Sequence, residues 1–198
     1  MNYNDSEYRK REWFESLAWQ RSWIEKMAGW WVGEFGRPKN VVDFGAGDGW
    51  WCKAFHDMGA EAYAVELDEV AKEYIPDSVY PVIHDLRLPI DAGGRFDLVI
   101  CLEVIEHLPR HDVENTLIQT LVQHTGDLLL MSAAQPGQDG TGHINLQTLD
   151  YWVRKIESYG VVLFSGERTM KARKAFTNIT NEQFHFLPQN LLVFARVK

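Results

Sequence analysis

The sequence predicts a doubly wound α/β fold, and three observations carry that prediction. After Pro38, short apolar runs alternate with stretches of helical period. The first run, Val41-Val42-Asp43-Phe44, breaks into Gly45-Ala46-Gly47-Asp48-Gly49-Trp50, which reads as a glycine turn opening a helix. Acids then stand at the ends of successive runs, at Asp43, Glu66, Asp85 and Glu103.

Ahead of the first strand, residues from Asp5 to Phe35 place Trp13, Leu17, Ile24, Met27, Trp31 and Phe35 close to helical period. One or two amphipathic helices are expected there, with their tryptophans packed on the sheet. Strands are expected at Asn40 to Phe44, Ala62 to Glu66, Val79 to Ile83, Phe96 to Leu102 and Asp127 to Met131. Helices fall between them, at Trp50 to Met58, Glu69 to Tyr74, His111 to Gln123 and Thr148 to Ser158. Strands joined by helices imply parallel pairing through right-handed crossovers. Val161 to Met170 and Leu191 to Val197 follow without a convincing helix between them and predict a C-terminal antiparallel hairpin on the sheet edge. The expectation is therefore one domain over residues 1–198. A helical cap (1–36) precedes a Rossmann-like core (37–198) with a mostly parallel sheet of seven strands.

Composition excludes several classes of protein. A chain of 198 residues, 45% hydrophobic and 24% charged, is globular and long enough to bury a core. No apolar run approaches a membrane span. Met1-Asn2-Tyr3-Asn4-Asp5 has no basic region leading into an apolar stretch, so no secretory signal and a cytoplasmic location are expected. Cys52 and Cys101 lie far apart and make neither a C-x-x-C motif nor a disulfide framework. A formal net charge of −8 argues against a broad nucleic-acid surface. Two basic patches, Arg9-Lys10-Arg11 and Arg168 to Lys174 with Lys171 and Arg173 between, read as solvated faces.

The glycine spacing narrows the ligand. In G-x-G-x-x-G the third glycine lets the helix pack beside a pyrophosphate. Here Gly49 comes one residue early and Trp50 takes the later place, which disfavours a pyrophosphate; no Gly-Lys-Ser/Thr follows for a Walker loop. What remains is a turn open to close backbone approach, with Asp43 offering negative charge to a cationic ligand. Glu66 lies roughly 20 residues past the first glycine, where an acid pairs with ribose hydroxyls. Asp85, in His84-Asp85-Leu86, can accept from an adenine amino group.

At this point the chain resembles the class I S-adenosylmethionine-dependent methyltransferases, and in particular small methyltransferases of phages and bacteria. Val41 to Gly49 looks like their first motif, Ala64-Val65-Glu66-Leu67-Asp68 like the second, and His84-Asp85-Leu86 like the third. Phe96 to Leu108 looks like the fourth strand and its loop, and the likeness runs from about Asn40 to Lys198. The resemblance implies S-adenosylmethionine as cofactor. Glu66 would hold the ribose hydroxyls and Asp85 the adenine amino group, with Leu67 and Leu86 also binding the cofactor. Asp43, Gly45, Ala46, Gly47 and Gly49 would hold the methionine part, with the backbone of Cys101 to Glu103 near its amino group.

The other side of the chemistry is read from Glu103-Val104-Ile105-Glu106-His107 and from Gly142-His143-Ile144-Asn145. One reading makes His107 or His143 a general base for a hydroxyl acceptor, with Glu106 beside it, since histidine titrates near working pH. The less favoured reading is a divalent metal on Glu103, Glu106, His107 and His143, mixed ligation that suits Mn, Fe, Co or Zn better than Mg. That set looks like the arrangement in plant-type small-RNA 2′-O-methyltransferases, and related Glu-x-x-Glu-His sequences occur in ubiquinone-biosynthesis O-methyltransferases. In the bland reading Glu106 and His107 simply hold loops in place. The stretch from Ser132 to Gln147 is too long for an ordinary strand-to-helix connection and reads as a functional loop.

The sequence thus predicts an enzyme that methylates a small molecule, with a hydroxyl as the expected acceptor. Terminal 2′-hydroxyl methylation of RNA is the alternative within the class. A cofactor-binding interaction protein without catalysis, using the tryptophan-rich helices as its interface, is the alternative outside it.

Overall fold

A computed structural model of the chain describes residues 7–159, 162–180 and 185–197. The expectations for Met1 to Asp5, Val161 and Lys198 fall outside them. Chain contacts divide it into two compact units, Met1–Asp85 and Leu86–Lys198.

The first unit opens with helix α1 (Glu7–Ser16), a 3₁₀ turn (Leu17–Gln20) and helix α2 (Arg21–Phe35). In α2, Ile24, Met27, Ala28 and Trp31 are buried, spaced as one helical face. The tryptophans divide: Trp31 is 1% exposed, whereas Trp13 and Trp19 are about half exposed. The expectation that all of them pack on the sheet is corrected accordingly. Strands β1 (Asn40–Phe44), β2 (Glu61–Glu66) and β3 (Tyr80–Ile83) pair in parallel, β2 in the middle. Helix α3 (Trp50–Asp57) connects β1 to β2, and a 3₁₀ turn (Glu69–Glu73) leads towards β3. Val41, Val42 and Phe44 are fully buried, as β-branched and aromatic residues in a strand covered on both faces should be.

The second unit holds β4 (Phe96–Leu102), β5 (Thr125–Ser132), β6 (Val162–Phe164) and β7 (Leu192–Arg196). β4 and β5 run parallel, while β7 runs antiparallel to both β5 and β6. Between β4 and β5 the chain is helical from α4 (Arg110–Asp112) through a π turn (Val113–Leu117) into α5 (Ile118–His124). Helix α6 (Leu149–Glu157) follows the long loop, capped by Thr148, whose hydroxyl accepts from Tyr151 N. Glu114 in the π turn ties the two helical pieces together: Tyr151 Oη, Arg110 Nε and Lys155 Nζ all donate to its carboxylate.

The C-terminal hairpin is corrected. β6 and β7 do pair antiparallel, but α7 (Gly166–Thr180) and α8 (Phe186–Asn190) lie between them in the chain. The buried face of α7 is Thr169, Ala172, Phe176 and Thr180, a proper helical spacing in which half the positions are threonine. An apolar pattern that thin does not announce a helix.

Among the described residues no helix is long and apolar enough to cross a membrane. The basic patches are partly engaged: Lys10 pairs with Asp68 at 2.6 Å, Arg11 with Glu73, and Arg173 Nε donates to Leu191 O at 2.9 Å.

Candidate active site

In the first unit, parallel register brings the strand-end acids to one edge. Asp43 lies opposite Ala64 and Glu66 opposite Ile83, so Asp43 and Glu66 lie at the carboxyl ends of their strands and Asp85 two residues past that of β3, on three adjacent strands. The glycine turn is sewn to β2. Gly45 N and Ala46 N both donate to Val65 O, at 2.8 and 3.1 Å. Gly47 N donates to Glu66 Oε2 at 2.9 Å, and Leu67 N to Glu66 Oε1 at 2.7 Å. Both carboxylate oxygens are thereby oriented by backbone amides, each with lone pairs left for a ligand's hydroxyls. Gly47 and Gly49 have φ of +56° and +70°, where a side chain is disfavoured, and a Cβ on Gly49 would press on Ile75 at 3.2 Å. The early third glycine is thus required by its own backbone and by the packing behind it.

Asp43 is 3% exposed, and burial, reinforced by the charges of Glu66 and Asp48, pushes its carboxyl up to about 7. Burial likewise raises Glu66 against the amide bonds from Gly47 and Leu67. Two further residues belong here that sequence reasoning missed. Buried Asp48 pairs with Arg21 Nε at 3.0 Å, and Arg21 lies 4.2 Å over the Trp50 ring. Asp48 stood inside the glycine turn; Arg21, on a helix 24 positions before the first turn glycine, had no signal of its own.

In the second unit, Cys101 is buried in β4 and Glu103 follows the strand with φ of +54°, the one described non-glycine residue in that region. Two contacts over-determine that conformation. Glu103 N donates to Ser132 Oγ at 3.0 Å, and Asn190 Nδ2 lies 3.2 and 3.3 Å from the two carboxylate oxygens. Asn190 is fully buried just ahead of β7, another residue that sequence reasoning missed.

Glu106 is fully buried. Its Oε1 accepts from Ala134 N at 3.1 Å and its backbone oxygen from Ile144 N and Asn145 N, at 2.9 and 3.1 Å. The segment around His143 is thereby pinned onto the turn after β4. Burial first, then the charge of Glu103, pushes the Glu106 carboxyl up to about 8, and burial raises Glu103 as well. The His107 and His143 rings stand 5.0 Å apart, edge to face. His107 Nδ1 lies 3.3 Å from Gly142 O, a carbonyl that can only accept, so Nδ1 carries the proton and Nε2 is left basic. Burial, then His143, holds His107 below the usual imidazole range.

Glu106, His107 and His143 each offer one ligand atom, all within 4.8 Å of one another. Glu103 is not in that group; its two oxygens are met by Asn190 instead. The expected four-residue set therefore separates into a cluster of three and a neighbouring carboxyl.

A glycine turn joined to an acid at the end of the second strand, within an α/β Rossmann-like fold, is a nucleoside-binding arrangement, and the family match makes the chain a class I S-adenosylmethionine-dependent methyltransferase. The chain belongs to the "Methyltransferase domain" family, whose model matches residues 7–178. Over 114 residues it is 27% identical to a ubiquinone biosynthesis O-methyltransferase of Acinetobacter baylyi, covering 53% of this chain and 46% of the relative. The chain spans about half the length of the curated relatives it matches. The crystal structure of magnesium protoporphyrin IX methyltransferase from Synechocystis with bound S-adenosylmethionine is similar at a TM-score of 0.63 and 20% identity, over 90% of this chain and 80% of that one. A methyltransferase of the same cofactor from Archaeoglobus fulgidus gives 0.62 and 17%, over 89% and 94%. At these identities the likeness is one of fold.

Proposed function

We propose that the protein transfers the methyl group of S-adenosylmethionine to a hydroxyl of a small molecule. The observation that carries this reading is the imidazole pair, His107 and His143, set against the buried carboxyl of Glu106. In methyl transfer the acceptor oxygen attacks the methyl carbon in line, the carbon–sulfur bond breaks with its electrons going to sulfur, and the hydroxyl proton must leave. An amine acceptor is a nucleophile already; a hydroxyl gains from a base. His107 Nε2 and His143 are the bases offered, with Glu106 fixing the loop that carries His143.

The cofactor assignment accompanies this. Glu66 and Leu67 take the ribose, Asp85 and Leu86 the adenine, and Asp43, Gly45, Ala46, Gly47 and Gly49 the methionine part. Cys101 and Glu103 are assigned to the methionine amino group. The reading treats residues 1–198 as one catalytic domain. The net charge of −8 and the engagement of Lys10, Arg11 and Arg173 within the protein favour a small acceptor over a nucleic acid.

A second reading has its own observation. Glu106 Oε2 and His143 Nδ1 are buried without a hydrogen-bond partner among the described residues, and they sit on two of the three residues of the cluster. Such a carboxylate and imidazole set fits a divalent cation of the Mn to Zn series. Glu106, His107 and His143 would hold it, and it would supply Lewis-acid activation of the hydroxyl.

The test is transfer of label from methyl-labelled S-adenosylmethionine to a panel of phenols, sugars and other hydroxylated metabolites, with RNA as a parallel acceptor. Label in a hydroxylated metabolite, lost in His143→Ala, is expected. Label confined to RNA would overturn the small-molecule reading.

A further inference from the structure

The amino-terminal segment is built onto the glycine turn. A Cβ on Gly47 would stand 3.0 Å from Leu17 Cδ1 and 3.7 Å from Trp13 Cη2. The turn whose glycines admit close approach therefore already has side chains of the first helix and the 3₁₀ turn against one of them. Trp13 keeps 48% of its surface exposed, a large apolar side chain left at the rim of that turn.

The attachment is uneven along the segment. Among the described side chains α1 buries Phe14, which stacks on Tyr74 at 5.2 Å and joins a cluster with Ala46 of the turn and with Val70, Ala71 and Ile75. Helix α2 buries four residues along its face. Among the described side chains α1 also makes polar ties: Lys10 to Asp68 at 2.6 Å, Arg11 to both oxygens of Glu73, and Tyr74 Oη to Glu15 at 3.3 Å. Asp68 lies two residues past Glu66. Between the two helices runs the 3₁₀ turn Leu17–Gln20, with no side-chain cap at its start and no fully buried residue.

We infer that α1 is a latched cover for the cofactor: Trp13 and Leu17 close over S-adenosylmethionine bound at the glycine turn, and the helix lifts about Leu17–Gln20 to let the cofactor exchange. The inference rests on the assignment of that turn to the cofactor. Phe14 sets the closed position, and the two ion pairs, each partly open to water and salt, set how readily it opens. Arg21 stays with the anchored helix and keeps Asp48 in place while the cover moves.

The experiment compares wild type with the double variant Lys10→Gln/Arg11→Gln, measuring S-adenosylhomocysteine affinity by calorimetry and its dissociation rate by displacement in stopped flow. Loss of the two pairs is expected to speed dissociation about three- to tenfold. Raising salt to about 1 M, where the screening length is about 3 Å, should speed the wild type and leave the double variant nearly unchanged. Proteolysis between Arg9 and Arg21 should slow when the ligand is present. Equal dissociation rates in the two proteins, with cleavage unaffected by ligand, overturn the cover while leaving the cofactor assignment intact. No binding by the wild type overturns the assignment itself, and the cover with it.

Discussion

The imidazole of His143 lies against the Cα of Gly140, so closely that a methyl group at residue 140 would stand 2.0 Å from Cε1 and 2.2 Å from Nε2. The ring occupies space that only a residue without a side chain, three positions earlier, leaves open. Gly140→Ala should therefore move His143 without unfolding the protein, because the obstacle is a side chain that can rotate, on a loop. We expect stability to change by about 1 kcal/mol or less, cofactor affinity to hold, and turnover to fall about a hundredfold, the low end for losing a general base. Steady-state kinetics beside calorimetry on the same variant check this. Unchanged turnover would remove His143 from the reaction.

Glu66 supports the turn and is assigned to the ribose through the same two oxygens. In Glu66→Gln, one of the two amides, Gly47 N or Leu67 N, would face an NH₂ group, donor against donor. The isosteric change should thus weaken cofactor binding nearly as much as Glu66→Ala, by about 2 kcal/mol, or roughly 30-fold. Calorimetry on both variants decides it; a Gln variant that binds like wild type would show that the amide bonds do not matter to the site.

Asp43 gives a pH dependence with a definite sign. Burial raises its carboxyl from the ordinary 3.8 to about 7, so the fold prefers it protonated. The stability it contributes is fully present below about pH 4 and is lost as the pH rises through 7, by at most about 4 kcal/mol. Asp43→Asn should flatten this decline, read as denaturant unfolding free energies between pH 4 and 8. Cofactor affinity runs the other way. A sulfonium cation favours the ionised carboxylate, so wild-type affinity should climb through pH 7 and the variant's should not.

The base and metal readings separate under chelation. With His107 and His143 acting as bases, turnover should survive extensive treatment with EDTA, and metal analysis of the purified protein should find well under one ion per chain. A rate that falls on chelation and returns with Mn, Co or Zn would move Glu106, His107 and His143 into a metal site.

Much of the sheet was legible in the chain. β1 and β4 begin and end where the apolar runs do, at Asn40–Phe44 and Phe96–Leu102, because a buried parallel strand is one continuous local pattern. The glycines of the turn were legible for a similar reason, since positive φ is a demand each residue meets by itself. Helix α7 was not legible, because two of its four buried positions are threonines whose burial depends on what they meet: Thr169 Oγ1 accepts from Val193 N at 2.9 Å and Thr180 Oγ1 donates to Phe176 O at 3.0 Å.

The sequence by itself determined the α/β class, the glycine turn and the order of acids on which the cofactor assignment is proposed. It also named Glu106, His107 and His143. Tertiary structure decided what those residues touch. Asn190 reaches Glu103 from 87 residues away, Arg21 reaches Asp48 from 27, and Gly140 gives His143 its seat. Spacing and period report only what neighbouring residues do to one another. A buried polar group must instead find its partner wherever the folded chain supplies one, and that partner leaves no mark in the local pattern.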